Sequence, residues 1–389
     1  MGDLYSYLFY TFIAITIVNM GYHFLFYVFA FAKSSLRDSQ SERELGDKAL
    51  SGTKQERGNL PPVSVIVCAK NEAENLKKHI PVLLQQDYPN FEIVLINDAS
   101  SDQTKAVMEA FVANDARVKQ VNVENIEAFW GSKKYALTLG IKAATHERLL
   151  FIDADCYPKS SQWIRHMVWC SKPSAAVVLG YGGYQKIKHS WLNTLIRYET
   201  VYTAMQYFSY ALAGNPYMGV GRNLMYTKTL FFEQRGFINH MKIPSGDDDL
   251  FVNEAATSKN TAVCFHPEAH TLSPAKSSFT SWLIQKRRHV SVARFYQLKD
   301  KLLLGGFFLS QLGFFVSALV VGGTTYMLKW VVLLVVLRYL IAWIAVGKSA
   351  AKLKEIEVAY LFPLHELFLI LFQLGIFSAN LISKPKRWK

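Results

Sequence analysis

The chain has 389 residues, of which 51% are hydrophobic, 14% aromatic and only 19% charged, and its net charge is +13. That length allows one large or two ordinary domains, and the aromatic content is high and the charged fraction low for a soluble protein. The positive balance calls for anionic partners such as membrane headgroups or phosphorylated substrates. Nucleic acid is disfavoured, because no recognition motif accompanies the charge.

Leu4 to Ala32 is almost wholly apolar and long enough to span a bilayer. No basic segment precedes it and no small-residue cleavage site follows, so residues 1–32 read as an anchor and not a removable signal. Lys33 and Arg37 follow directly and place the next part of the chain in the cytoplasm by the positive-inside rule. Residues 33–60 are polar and read as a solvated linker that ends at Pro61-Pro62. The four cysteines, Cys68, Cys156, Cys170 and Cys264, show no paired spacing and read as free thiols in a reducing compartment.

Strand and helix patterns then alternate. Strands are expected at Val63–Val67, Phe91–Ile96, Val118–Val123 and Leu149–Ile152. Helices are expected at 71–86, interrupted near Pro81, at 102–113 and at 133–144. Such alternation predicts an α/β domain with a doubly wound, mostly parallel sheet, whose ligands bind at the carboxyl ends of the strands. Ala69 to Glu72, Asp98, and Asp153 with Asp155 all fall at such ends. Asp153 and Asp155 are two apart on an extended chain and leave a buried strand on the same side. Two carboxylates so placed repel unless a cation joins them, and Mg2+ takes one or two carboxylates together with substrate phosphates. A solvated acidic turn is the other reading of that pair.

Loops with close backbone approaches are expected at 181–184 and 214–223, with an aromatic-faced helix over 191–212 that belongs to the core or to the membrane surface. Asp247, Asp248 and Asp249 form a second acidic cluster, which suits either a site or the first turn of a helix over 250–256. Residues 282–296 are basic and aromatic, fit to meet headgroups or to clamp a diphosphate. Three further apolar segments, 302–321, 327–346 and 358–382, are each long enough to span. Three crossings leave the basic tail at 384–389 outside. Two crossings, with one segment interfacial, bring it inside. The third segment holds Pro363, His365 and Glu366 and is the one expected to be irregular, and three spans are slightly preferred.

These pieces, in this order, resemble the membrane-bound family 2 glycosyltransferases, which have an inverting GT-A catalytic domain. The matching stretches are Val63 to Glu72, Asn97 to Asp102, Gly131-Ser132-Lys133 leading to Ala136-Leu137, Asp153-Ala154-Asp155, and Gly246 to Asp249. The resemblance implies a Rossmann-like GT-A domain over 61–298, cytoplasmic and flanked by the anchor and by a membrane region over 299–389. It implies that Ala69, Asn71, Glu72 and Asp98 line the nucleotide pocket, with Lys133 nearby. Asp153 and Asp155 would hold ribose and a divalent metal, Mg2+ or Mn2+, on the diphosphate. The acid matching Asp248 would be the general base, with Asp249 and Asp247 as alternatives in a run of three.

Processive members of that family carry Gln-x-x-Arg-Trp; here Gln285 and Arg288 are followed by His289, and Thr138 stands where Asn is usual. Gln285 and Arg288 can still cover a diphosphate. Missing Trp and few spans favour transfer of one sugar, or a few, to a lipid-linked or other membrane acceptor, with UDP the expected nucleotide. A processive polysaccharide synthase is the nearest alternative, and a non-catalytic nucleotide-sugar-binding membrane protein the next.

Overall fold

The structure is a computed structural model that describes residues 2–28, 60–124, 133–171 and 175–383. The polar linker up to residue 59, Gly131, Ser132 and the basic tail at 384–389 lie outside the described residues.

The expected alternation is present. In chain order the elements are α1 (Gly2–Gly21), β1 (Val63–Ala69), α2 (Ala73–Leu84), β2 (Phe91–Asp98), α3 (Thr104–Asn114), β3 (Val118–Val123), α4 (Lys133–Ala143), β4 (Arg148–Phe151) and β5 (Tyr157–Pro158). Then come α5 (Trp163–Cys170), β6 (Val177–Leu179), β7 (Gly182–Tyr184), α6 (Trp191–Leu212), β8 (Leu224–Thr227), α7 (Lys228–Glu233) and α8 (Asp249–Ala255). The last are β9 (Thr261–Val263), β10 (Thr271–Ser273), α9 (Phe279–Val292), α10 (Leu298–Gly323), α11 (Leu328–Lys352) and α12 (Phe362–Ile382).

Seven strands form one sheet in the order β3-β2-β1-β4-β8-β6-β9, and β5, β10 and β7 form a second, small one. β1 runs parallel to both β2 and β4, with Val63 opposite Phe91 on one side and Arg148 on the other. β8 is antiparallel to both its neighbours. The chain winds outward from β1 through β2 to β3 and then returns to the other side of β1. The crevice of this sheet therefore opens between the carboxyl ends of β1 and β4.

Alternate residues of the strands face two separate cores. Ile66, Val94, Ile96, Leu149 and Phe151 pack on one face, and Val63, Val65, Val67, Ile93, Leu95 and Leu150 on the other. Burying each such side chain contributes about 1.5–3 kcal/mol before entropy is counted. Gly140 lets α4 lie close on β2: a Cβ there would sit 2.1 Å from Ile96 Cδ1. α6 is buried nearly all round, including Tyr198, Tyr202, Tyr207 and Tyr210, so it belongs to the core and not to a membrane surface.

α1, α10, α11 and α12 are long and apolar enough to cross a membrane. α1, α10 and α11 pack together and leave Ile17, Leu309, Val316, Leu333 and Val336 on the outside. Arg338 of α11 sits at the centre of the membrane region, fully buried. It meets both carboxylate oxygens of Glu366 at 2.5 and 2.6 Å and Asn19 Oδ1 at 2.9 Å, and so ties α1, α11 and α12 together.

α12 is not irregular as expected: Pro363 occupies its first turn, where no backbone N–H is needed. Its contacts reach α6 and α9 as well as the membrane region. Near its start, the His365 ring lies 5.3 Å from Trp191 and 5.0 Å from Tyr198. Further along, Phe372 stacks on Trp282 of α9 at 4.4 Å. At its end, Arg287 of α9 donates to the carbonyls of Ala379 (3.0 Å) and Ser383 (2.7 Å). Both ends of α12 thus touch helices outside the membrane region, α6 and α9. Leu364, Leu367, Leu371, Leu374 and Leu381 form an exposed apolar stripe at helical spacing. The same contacts occupy α9: Arg287 caps α12, Lys286 pairs with Glu199 at 2.5 Å, and Trp282 is buried, which removes the reading of α9 as a free headgroup-binding helix.

Candidate active site

The ends of β1 and β2 are stitched together before any ligand is considered. Asn71 takes a left-handed backbone (φ 57°), which asparagine tolerates, and its Oδ1 accepts the Ser101 N–H at 2.8 Å. The N–H groups of Asn71 and Glu72 donate to Ser100 Oγ (3.0 Å) and Thr104 Oγ1 (2.8 Å). Ala69 and Asp98 are buried at the two strand ends. Burial raises the pKa of Asp98, against the pull of Lys70 and Lys133. Burial likewise raises that of Glu72, helped by the charges of Asp155 and Asp153, which puts Glu72 beside the Asp-x-Asp motif.

Beyond β4, Asp153 and Asp155 leave the strand as expected. One oxygen of each, with Cys156 Sγ, lies within 4.8 Å of the others. Burial first, and the neighbouring Asp153 charge second, raise the pKa of Asp155. The Cys156 thiol is buried, its pKa is held far up by that burial, and it donates to Asp155 Oδ1 at 3.3 Å. The oxygen ligands the motif offers are therefore two partly exposed carboxylates. This hard oxygen set fits Mg2+ or Mn2+ and does not fit a thiolate-bound metal.

Lys133 at the start of α4 joins the two acidic clusters. Its Nζ lies 3.0 Å from Asp153 Oδ1 and 2.9 Å from Asp247 Oδ2. Burial alone would lower its pKa, but Asp153 and Asp247 outweigh that and raise it well above the ordinary range. Next to it, Lys134 Nζ donates to the carbonyls of His240 (2.7 Å), Ile243 (3.0 Å) and Ser245 (2.8 Å) and so fixes the loop leading to the three acids. Gly246 (φ 89°) turns the chain there.

The three aspartates have three different surroundings. Asp247 is paired with Lys133, which overcomes its burial and lowers its pKa. Asp248 caps α8: Oδ1 accepts the Asp249 N–H at 2.8 Å, and Oδ2 accepts the Gly221 N–H at 2.7 Å. Burial, then the Asp247 charge, push its pKa up to about 6. Asp249 turns inward, its Oδ2 accepting from Tyr296 OH at 2.8 Å, and burial followed by Asp248 pushes its pKa up to about 8. The capping and site readings of this cluster thus both hold for Asp248.

A narrow cleft brings together Lys133, Asp153, Asp247 and Asp248, with Cys68, Gly221 and Tyr226 also in its wall. Asp249 is outside it. Arg288 reaches the same acids: burial lowers its pKa, and Asp247, Asp153 and Asp248 oppose that. Gln285 Oε1 on the same helix is buried and accepts no hydrogen bond among the described residues. Gly221, Arg222, Lys134 and Tyr296 were not singled out from the sequence. Only the glycine-rich 214–223 stretch signalled the first two.

Residues 64–231 match the Glycosyl transferase family 2 description. An uncharacterised glycosyltransferase of Haemophilus influenzae is 26% identical over 224 residues, 54% of this chain and 64% of its own length. The poly-β-1,6-N-acetyl-D-glucosamine synthase of Staphylococcus epidermidis is 32% identical over 103 residues, 26% of this chain and 24% of its own. The chain thus spans less than two thirds of the length of these curated relatives. Among solved structures, the mannosyltransferase PcManGT of Pyrobaculum calidifontis, in complex with GDP-Man and Mn2+, aligns over 92% of this chain and 99% of that one, with a TM-score of 0.51 at 17% identity, a likeness of fold. Topology, strand-end acids and sequence matches agree: the chain carries a family 2 glycosyltransferase domain with the GT-A fold.

Proposed function

We propose that this protein moves a sugar from a nucleoside-diphosphate sugar to a hydroxyl of a lipid-linked or other membrane-proximal acceptor, with inversion at C1. The observation that supports this most is Lys133 bridging Asp153 and Asp247 beside Asp248, at the switch point of the sheet. Ala69, Asn71, Glu72 and Asp98 receive the nucleoside. Asp153 and Asp155 are the residues that would hold Mg2+ or Mn2+, which when bound neutralises charge on the leaving diphosphate. Lys133 and Arg288 supply positive charge at that leaving group, with Gln285 beside them.

Asp248 accepts the proton of the acceptor hydroxyl. Its two N–H donors hold the carboxylate in place, and its raised pKa brings it nearer to the working pH than an ordinary aspartate. The new C1–oxygen bond forms as the C1–phosphate oxygen bond breaks on the opposite face, and the nucleoside diphosphate departs with the electron pair. An exposed His289 where a tryptophan would stack an acceptor chain supports short rather than processive addition. The domain lies on the side of the membrane region reached by Lys352 and Lys354 after α11, which supports a cytoplasmic orientation.

The test is thermal stability of the purified protein with UDP, GDP, dTDP and CDP, each with and without Mn2+. A ligand at about 100 times its Kd adds about 2.7 kcal/mol. A metal-dependent shift with one nucleotide, lost in Asp155→Asn, is expected. No shift with any of them in folded protein overturns the reading. Product length from one acceptor separates single addition from a polymer ladder.

A further inference from the structure

Arg222 is a basic group of the cleft region to which the roles above give nothing. Its stem crosses Gly182, where a Cβ would lie 2.5 Å from Arg222 Cγ, so the missing side chain makes room for it. The guanidinium lies 4.4 Å above the Tyr184 ring, Nη1 donates to Ser273 Oγ at 3.1 Å, and the Arg222 carbonyl accepts from Thr271 Oγ1 at 2.8 Å. These neighbours, from β7 and β10, are all uncharged. The buried arginines Arg197 and Arg338 each have a glutamate partner, but among the described residues no carboxylate lies within 4.0 Å of the Arg222 guanidinium.

Its position is specific. The preceding residue, Gly221, donates its N–H to the proposed base. The opening of the small sheet, at Tyr157, follows the Asp-x-Asp motif directly and pairs with Leu272 of β10, whose neighbours Thr271 and Ser273 hold Arg222. A guanidinium fixed by an aromatic face and a hydroxyl, and lacking a counter-ion, is ready for a bidentate anion. Lys133 pairs with the acids directly, at Asp153 and Asp247.

We propose that Arg222 provides a further phosphoryl-binding subsite of the cleft, in addition to Lys133 and Arg288. This rests on the nucleotide-sugar reading of the same cleft. The phosphoryl group belongs either to the donor diphosphate or to a phosphate of the lipid-linked acceptor.

The test measures affinities of full-length R222Q for UDP and GDP with Mn2+, and for a polyprenyl monophosphate in detergent. Loss of one charged bidentate contact is expected to weaken the subsite's ligand about 10- to 100-fold. Weakening of the nucleotides assigns the subsite to the donor. Weakening of the polyprenyl phosphate alone assigns it to the acceptor. Unchanged affinity for all three overturns the proposal. R222K, which keeps the charge and loses the bidentate fork, covers the case in which R222Q does not fold: about threefold weakening of the same ligand supports the subsite, and none overturns it. Asp155→Asn separates the two levels of the argument. If it abolishes nucleotide binding while R222Q and R222K change nothing, only the subsite fails; if wild-type protein binds no nucleotide, the underlying reading fails first.

Discussion

Removal of the Asp248 carboxylate is the most direct test of how the three acids divide their work. Asp248→Asn keeps the side-chain volume and can still accept one of the two N–H groups, from Gly221 or Asp249, but it cannot take a proton. Turnover should fall by about 100- to 10,000-fold, the usual contribution of a general base, while nucleotide affinity holds. In the wild type, a carboxyl with a pKa near 6 is about 90% ionised at pH 7 and about 10% at pH 5, so kcat should drop roughly tenfold per pH unit below 6. Asp249→Asn is the matched control. Its carboxyl, with a pKa near 8, is mostly protonated at pH 7, and an amide resembles that form, so the loss there should stay under about tenfold. The assay is released nucleoside diphosphate and glycosylated product against pH from 4.5 to 8.5, alongside nucleotide-dependent thermal shift. Near-normal turnover in Asp248→Asn, or a collapse in Asp249→Asn with Asp248→Asn active, would refute the division.

Glu92 is buried in β2 and held by Ser64 Oγ (2.6 Å), Thr145 and Lys119 (2.7 Å); despite its burial, these partners bring its pKa down to about 2. A folded pKa below the unfolded value of 4.5 means the stabilisation is complete above pH 4.5 and is lost as pH falls toward 2. Glu92→Gln should cost about 1–3 kcal/mol at pH 7, seen as a lower Tm, and its difference from wild type should shrink in acid; an equal gap at pH 3 would contradict this. Removing one partner of the Arg338–Glu366 pair should destabilise by about 3–5 kcal/mol, and the double variant Arg338→Met, Glu366→Leu should recover most of it; additive losses would show that the two do not act as a pair. With the native cysteines replaced, S383C should react with a membrane-impermeant thiol reagent from the same side as the catalytic domain and T325C from the opposite side. Labelling of both from one side would show that α12 crosses as a third C-terminal span.

Much of the fold was legible because burial is periodic. β1, β2 and β4 are apolar runs that end in polar groups, so their nature, order and carboxyl ends could be read directly. The Asp-x-Asp pair was legible for the same reason, since two residues at a spacing of two must leave an extended chain together. Length and apolarity likewise marked α1, α10, α11 and α12.

What the chain by itself determined, then, was local: which segments are strands or helices, and which acids end them. Only the tertiary structure separated Asp247, Asp248 and Asp249, because pairing with Lys133, capping with Gly221 and contact with Tyr296 come from segments far apart in sequence. Arg222 was illegible for the same reason: that no carboxylate lies beside it among the described residues is a property of its surroundings and not of its neighbours in the chain. The lie of α12 was likewise decided by side chains of α6 and α9 at its two ends, since hydropathy records how apolar a helix is and not what its ends touch.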